Sequence, residues 1–343
     1  KDGREVAAGD VRARAQKAER FVDRGGQGMS HSDETRAEPS PMEGVRWWAR
    51  GPVLGMVCIL AATFLFATMN AIIRGLSGAV PPVEIAFFRS VFGLLLLLPF
   101  VAWFGLGSIR TARFRLHATR GVVHAVSMMI FFVALSMVPL AETTSLEFAA
   151  PIMSTAIAIL FLGEIVHARR LIALAVGVAG VLIVVRPGFE DVSLGQVLIL
   201  ISVVMWAGCQ LMIRELSRTD TAFTQGFYMV AFFTPITLIA SVPVWVWPSV
   251  GEVAVLGGLA VIATAGTWLY GEAFRRAEMS AILPLESTKL IWSVGYGLIF
   301  FSEQPEVLTL VGGLTIFGAA AYITIREAQI ARRPPPTSDT PGA

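Results

Sequence analysis

Residues 135–164, LSMVPLAETTSLEFAAPIMSTAIAILFLGE, return in diverged form as residues 274–303, FRRAEMSAILPLESTKLIWSVGYGLIFFSE. Each copy has a polar lead-in, a glutamate inside an apolar run and a closing glutamate. The register is kept without a gap: Glu147 and Glu286 are 139 positions apart, and so are Glu164 and Glu303. A second pair of segments extends the repeat, since Asn70-Ala-Ile-Ile-Arg-Gly-Leu-Ser77 matches Gln210-Leu-Met-Ile-Arg-Glu-Leu-Ser217 at a spacing of 140. The chain is a doubled unit.

The doubled unit is apolar. Hydrophobic residues make up 55% of the 343 and charged residues 15%, with a mean hydropathy of +0.68; a soluble domain carries roughly 25% charged residues. A bilayer core of about 30 Å needs about 20 apolar residues per helix. Ten spans answer to this, near 52–73, 83–104, 117–138, 141–162, 168–186, 194–215, 222–244, 253–274, 279–301 and 306–326. The expected fold is all-α and integral to the membrane: ten transmembrane helices in an up-down bundle, five to each repeat. Because five is odd, the second repeat lies upside down relative to the first, the plan of secondary transporters.

Arginines set the orientation. Every second connection from the N-terminus carries Arg46 and Arg50; Arg110, Arg113 and Arg115; Arg169 and Arg170; Arg214 and Arg218; Arg275 and Arg276; and Arg326, Arg332 and Arg333. The alternate connections hold only Arg74 and Arg186. Positive residues stay on the cytoplasmic side, so both termini are expected in the cytoplasm and the protein in the inner, cell membrane.

Residues 1–50 are polar and lack apolar periodicity, and are expected to be a disordered tail; 51–188 and 189–326 are the two repeats, and 327–343 a second tail. Met29 follows Arg-Gly-Gly-Gln-Gly, a run that ribosome-binding-site-like codons can encode, so residues 1–28 are expected to be leader and Met29 or Met42 the start. No signal peptide is expected, because the first apolar run is too long and too late. The net charge of +2 is too small to indicate nucleic acid. Cys58 and Cys209 lie in apolar runs and read as buried thiols. His31, His117, His124 and His167 show no ligand spacing, so neither a metal nor another cofactor is expected.

Several segments, in this order and spacing, resemble the ten-helix drug/metabolite transporter superfamily and its paired EamA domains. They are Val83-Glu-Ile-Ala-Phe-Phe-Arg89, Arg120-Gly121, the fourth span ending Leu162-Gly-Glu164, Arg186-Pro-Gly188, and Pro284-Leu-Glu286 with Trp292. The first, third and fourth are similar to the branch containing S-adenosylmethionine and riboflavin carriers. The resemblance implies a secondary transporter for a small organic metabolite, working by alternating access, proton- or ion-coupled or an exchanger, as a monomer or homodimer in the lipid bilayer. Glu286 corresponds to the family's ninth-helix polar position. The chain departs from the family at Ser287, where an aromatic residue is common, which leaves the substrate class open.

Ionisable groups inside a bilayer cost about 2.5–3.5 kcal/mol each on insertion scales, so each marks a partner or a site. Arg89 and Glu147 each lie six residues into their spans, roughly 9 Å deep at about 1.5 Å per residue, and are able to meet. Glu147 has no cation one turn away, and Pro151 lacks the N–H that would bond its carbonyl, so Glu147 reads either as a structural partner of Arg89 or as a substrate or proton site. Glu286 and Lys289 are spaced for an i,i+3 pair, either structural or opened by a zwitterionic substrate. His124 is a candidate proton relay or a hydrogen-bonded packing residue. Asn70 and Gln210 occupy matching places and are candidate lining residues. Trp206, Trp268, Tyr270, Trp292 and Tyr296 are candidates for stacking on a planar substrate or a cation, with Tyr270 and Trp292 taken into the substrate site. Glu164 and Glu303 read as solvated helix ends, and Gly177, Gly180, Gly312, Gly313 and Gly318 as close-packing positions. A membrane enzyme such as a group transferase and a channel are the alternatives. A nucleotide-driven pump is not expected, since there is no G-x-x-x-x-G-K-[ST] motif and no loop long enough for a nucleotide domain.

Overall fold

Long apolar runs with polar punctuation become helices here, because in hydrocarbon each backbone N–H and C=O must be satisfied within its own segment. A computed structural model of the chain describes residues 51–162, 168–188 and 191–331. The first repeat contains α1 (Gly51–Leu76), α2 (Pro82–Phe104), α3 (Phe114–Met137), α4 (Leu140–Glu147), α5 (Ala150–Leu162) and α6 (Ala168–Val185). The second contains α7 (Leu194–Leu216), α8 (Ala222–Ser241), α9 (Val250–Arg276), α10 (Met279–Glu286), α11 (Thr288–Phe301) and α12 (Val307–Ala331). Among the described residues there is no strand. Glu164, His31, His167, residues 1–50 and residues 332–343 lie outside the described residues.

Helix ends follow local chemistry. Ser193 and Gln196 close a capping box at the start of α7, and Ser249 and Glu252 do the same for α9. Gly105 adopts a φ of +76° where α2 stops, a value that a residue with a Cβ rarely takes. Eight stretches are individually long and apolar enough to cross a membrane, one of them combining α4 with most of α5. The fifth expected span is the shorter α6, and the ninth is divided into α10 and α11. The last helix continues to Ala331, five residues past the expected span. Leu160, Ile299 and Phe300 are 77%, 75% and 68% exposed, which fits side chains that face lipid rather than water.

The packing repeats with the sequence. α1 packs on α9, and their counterparts α7 and α3 pack on each other. α2 packs on its own counterpart α8, and α6 on its counterpart α12. The α6–α12 crossing is close because it runs over glycine: a Cβ on Gly180 would lie 3.1 Å from the Gly312 carbonyl oxygen, and one on Gly312 would lie 2.9 Å from that of Gly180. Gly318 is not such a position, since nothing lies within 4 Å of a Cβ there.

At one place the two-fold correspondence fails. α4 packs firmly against α11 and α12, whereas among the described residues the related pairs, α10 with α5 and α10 with α6, share slight contact at most. One end of the bundle is therefore drawn together more tightly than the other. Ion pairs reinforce the closed end: Arg74 at the end of α1 joins Glu303 after α11, and Arg186 after α6 joins Glu306 before α12. Glu303 also accepts the Leu140 N–H that opens α4, at 2.9 Å. Glu303 is thus not the solvated helix end expected from its position. The left-handed Ser302 (φ 54°) and the 2.9 Å bond from the Glu303 N–H to the Gly297 carbonyl fold the chain back after α11 and direct the side chain inward.

Candidate functional site

The fourth and ninth spans are both interrupted, and the interruptions fall at the repeated glutamates. α4 ends at Glu147 and α5 begins at Ala150; α10 ends at Glu286 and α11 begins at Thr288. Pro151, just inside α5, and Pro284, within α10, each remove an N–H from the helical ladder near the interruption. Eight helical residues precede each break, about 12 Å of rise, which brings both glutamates toward the middle of a core about 30 Å thick.

The two breaks are connected by charge. Lys289 Nζ donates to Glu147 Oε2 at 2.8 Å, and the two side chains remain 16% and 24% exposed. Asn70, from α1, directs its Nδ2 at the same oxygen at 3.5 Å and is itself 1% exposed. This corrects two expectations. Glu147 pairs with Lys289 in the other repeat, not with Arg89; and Lys289, spaced for an i,i+3 pair with Glu286, is engaged by Glu147 instead. The break after Glu286 loosens the regular helical geometry on which the i,i+3 spacing depends.

Glu286 accepts a 2.7 Å hydrogen bond from the Tyr270 hydroxyl of α9. Hydroxyl pairs continue the polar seam: Thr63 with Thr288 at 3.0 Å, Thr144 with Ser293 at 2.7 Å, and Thr68 with Tyr296 at 2.6 Å. Trp292 meets Phe64 edge-on with ring centroids 5.3 Å apart, and Tyr270 lies between Phe66 and Phe274. Asn70, Glu147, Tyr270, Glu286 and Lys289 are thereby gathered where α1, α4, α9, α10 and α11 meet, with Trp292 against Phe64 at the α1–α11 contact.

Arg89, His124 and Gln210 are placed elsewhere. Arg89 has its guanidinium 6.0 Å from the Phe132 ring centroid, and its Nε has no hydrogen-bond partner. His124 is buried between the rings of Trp206 and Phe233, and its Nδ1 also has no partner. Gln210 is exposed although its counterpart Asn70 is buried, a difference that follows the tighter and looser ends of the bundle. Trp268 is 66% exposed and faces outward.

Sequence reading missed two polar clusters. One is the Arg74–Glu303 bridge, whose signal was the repeat itself, because both residues sit at marked repeat positions. The other joins the repeats at the start of α3: His117 Nε2 lies 2.8 Å from Asp220 Oδ2, and the Thr111 hydroxyl donates to the same oxygen at 2.9 Å. Nothing in the local spacing marks that pair. Both cysteines are buried and free, and among the described residues no three His, Cys, Asp or Glu side chains are grouped to hold a metal.

Comparison with known proteins adds independent findings. The model of the EamA-like transporter family matches residues 53–186 and again 193–325. A pseudopaline exporter of Pseudomonas aeruginosa is 30% identical over 272 residues, covering 79% of this chain and 95% of that protein. A riboflavin transporter of Vibrio cholerae is 26% identical over 287 residues, with coverages of 82% and 96%. An S-adenosylmethionine uptake transporter of Rickettsia bellii is 26% identical over 244 residues, with coverages of 71% and 84%. A solved structure aligns at a TM-score of 0.54 and 18% identity, covering 83% of this chain and 99% of its own, and so shares the fold.

Proposed function

The chain belongs to the EamA-like transporter family, and from that premise we propose that it is a secondary carrier moving a small organic molecule across the membrane by alternating access of its two repeats, 51–188 and 189–326. The observation that carries this reading is the broken symmetry of the bundle. Inverted repeats make two half-structures that are alike in sequence, yet α4 closes on α11 and α12 while α10 makes no comparable packing with α5 or α6. Exchanging the two arrangements moves the opening from one end of the bundle to the other without unfolding either repeat.

The inter-repeat pair of Glu147 and Lys289 lies between the two ends, at the breaks of the fourth and ninth spans, where a carrier holds its cargo. Asn70, Tyr270, Glu286 and Trp292 complete the site in this reading, with Arg89, His124 and Gln210 lining the route to it. The arginine distribution supports an inner-membrane protein with both termini cytoplasmic, which makes the closed end external and the conformation inward-facing. Export by one relative and uptake by another leave the direction to be read from sidedness.

The test is counterflow into liposomes containing the purified protein, with radiolabelled riboflavin, S-adenosylmethionine and amino acids offered in turn. Saturable exchange of an unmodified solute supports the carrier. A chemically altered product supports a membrane enzyme, and flux that neither saturates nor shows counterflow supports a channel.

A further inference from the structure

Resting on the carrier reading above, we infer that the transported molecule bears an ammonium and a carboxylate a few bonds apart, an amino-acid-type head, and that it docks by exchanging partners with the Glu147–Lys289 ion pair. The first observation is an incomplete set of hydrogen bonds. Asn70 is 1% exposed, its Nδ2 faces Glu147 Oε2 at 3.5 Å, and its Oδ1 has no partner. The carboxylate fixes that orientation, because the reversed amide would set oxygen against oxygen. A group that satisfies Asn70 Oδ1 and Glu147 together must offer several N–H donors and a positive charge. An ammonium does so.

The second observation is the charge count. Glu147 and Glu286 surround one lysine, so the three side chains sum to −1 when ionised, and Glu286 accepts the Tyr270 hydroxyl at 2.7 Å. A purely anionic ligand would add to that excess and strand Glu147 on taking Lys289. A purely cationic ligand would displace Lys289 from Glu147 and leave it only Glu286, which already accepts the Tyr270 hydroxyl. A molecule with both charges replaces each partner by its like: the ammonium takes the place of Lys289 on Glu147 and Asn70 Oδ1, and the carboxylate takes the place of Glu147 on Lys289. Neither Glu147 nor Lys289 is left unpaired at any stage, which is the condition for opening an ion pair in a poorly solvated place.

The third observation is accessibility. Glu147 and Lys289 are 24% and 16% exposed although they sit at helix breaks in mid-span, and they come from different repeats, so opening the pair does not unfold either one. Trp292 lies three residues beyond Lys289 on the same helical face and is 37% exposed, in position to take up the remainder of such a molecule.

The experiment measures melting temperature and affinity of the purified, detergent-solubilised protein with the twenty proteinogenic L-amino acids, each beside its N-acetyl and methyl-ester derivatives, and with riboflavin. At least one free amino acid is expected to stabilise the protein while both of its capped derivatives, at equal concentration, do not. For that amino acid, Glu147→Gln and Lys289→Met should each weaken binding by about tenfold or more, and Lys289→Arg should recover most of the loss. Equal binding of capped and free forms, binding of riboflavin alone, or binding by none of these overturns the inference, and the comparison on the unaltered protein stands even if a variant fails to fold. Saturable riboflavin counterflow in the same preparation would then keep the carrier reading while the head-group inference fails; counterflow by no solute removes the carrier reading.

Discussion

Lys289 Nζ lies 2.8 Å from Glu147 Oε2, so the helix breaks of the two repeats are held to each other by charge across the repeat interface. Removing one member leaves the other in a poorly solvated place. The pair is partly accessible, so we expect Lys289→Met and Glu147→Gln each to destabilise the protein by about 1–3 kcal/mol, below the cost for a fully buried pair. The combined variant should unfold at nearly the wild-type temperature. Thermal unfolding of the four proteins gives the coupling, and strictly additive losses would show that the two groups do not interact.

The crossing of α6 and α12 provides a packing test with its own control. A Cβ on Gly312 would meet Val184 Cγ2 at 2.6 Å and the Gly180 carbonyl oxygen at 2.9 Å, and the backbone oxygen has little room to retreat. Gly312→Ala should therefore cost about 1–3 kcal/mol. Gly318→Ala, on the same helix with open space at its Cβ, should be neutral or slightly stabilising, since alanine is the better helix former. Equal melting temperatures for the two variants would contradict the glycine contact.

Repeat and spans were legible in the chain because each rests on local pattern: apolar runs of membrane length and a 139-residue spacing of glutamates. The breaks were not, since the fourth and ninth spans read as continuous helices although Pro151 and Pro284 stand beside the two glutamates. Nor was the partner of Glu147. One-dimensional spacing offers Lys289 to Glu286, three residues away, whereas the actual pairing depends on how α4 and α11 are set side by side by their neighbours. Glu303 failed for a related reason. It reads as a helix end, and only the turn through Ser302 returns it to Gly297, Leu140 and Arg74. Residues whose roles are set by contacts between the repeats are the ones that pattern alone misplaced.

Orientation is checked by labelling single cysteines in intact cells with a membrane-impermeant maleimide. The arginine asymmetry predicts that Ser249→Cys and Gln304→Cys react from outside, while Ala168→Cys reacts only after permeabilisation. Reaction of Gln304→Cys and Ala168→Cys from the same side would remove the inverted-repeat arrangement, because the helices between them fix opposite faces.

The closed end of the bundle makes the last prediction. Glu303 joins Arg74 and accepts the Leu140 N–H, so one carboxylate ties α1, α4 and the end of α11 together, beside a cavity of about 120 Å³ lined by Pro139, Ala141, Val294 and Gly297 among others. Glu303→Gln keeps an oxygen for the Leu140 N–H but loses the ion pair with Arg74. If the bridge holds this end shut, a loss of about 1 kcal/mol shifts the balance of open and closed forms roughly fivefold. A cysteine introduced by Val294→Cys should then be labelled several times faster with Glu303→Gln than without it. Exchanging the charges, with Arg74→Glu and Glu303→Arg together, should return the rate toward the parent value, although Arg74 also donates to the Val138 and Leu135 carbonyls and full recovery is not expected. An unchanged labelling rate in a well-folded Glu303→Gln protein would mean that the packing of α4 on α11 and α12 closes this end by itself, with Glu303 only satisfying the start of α4.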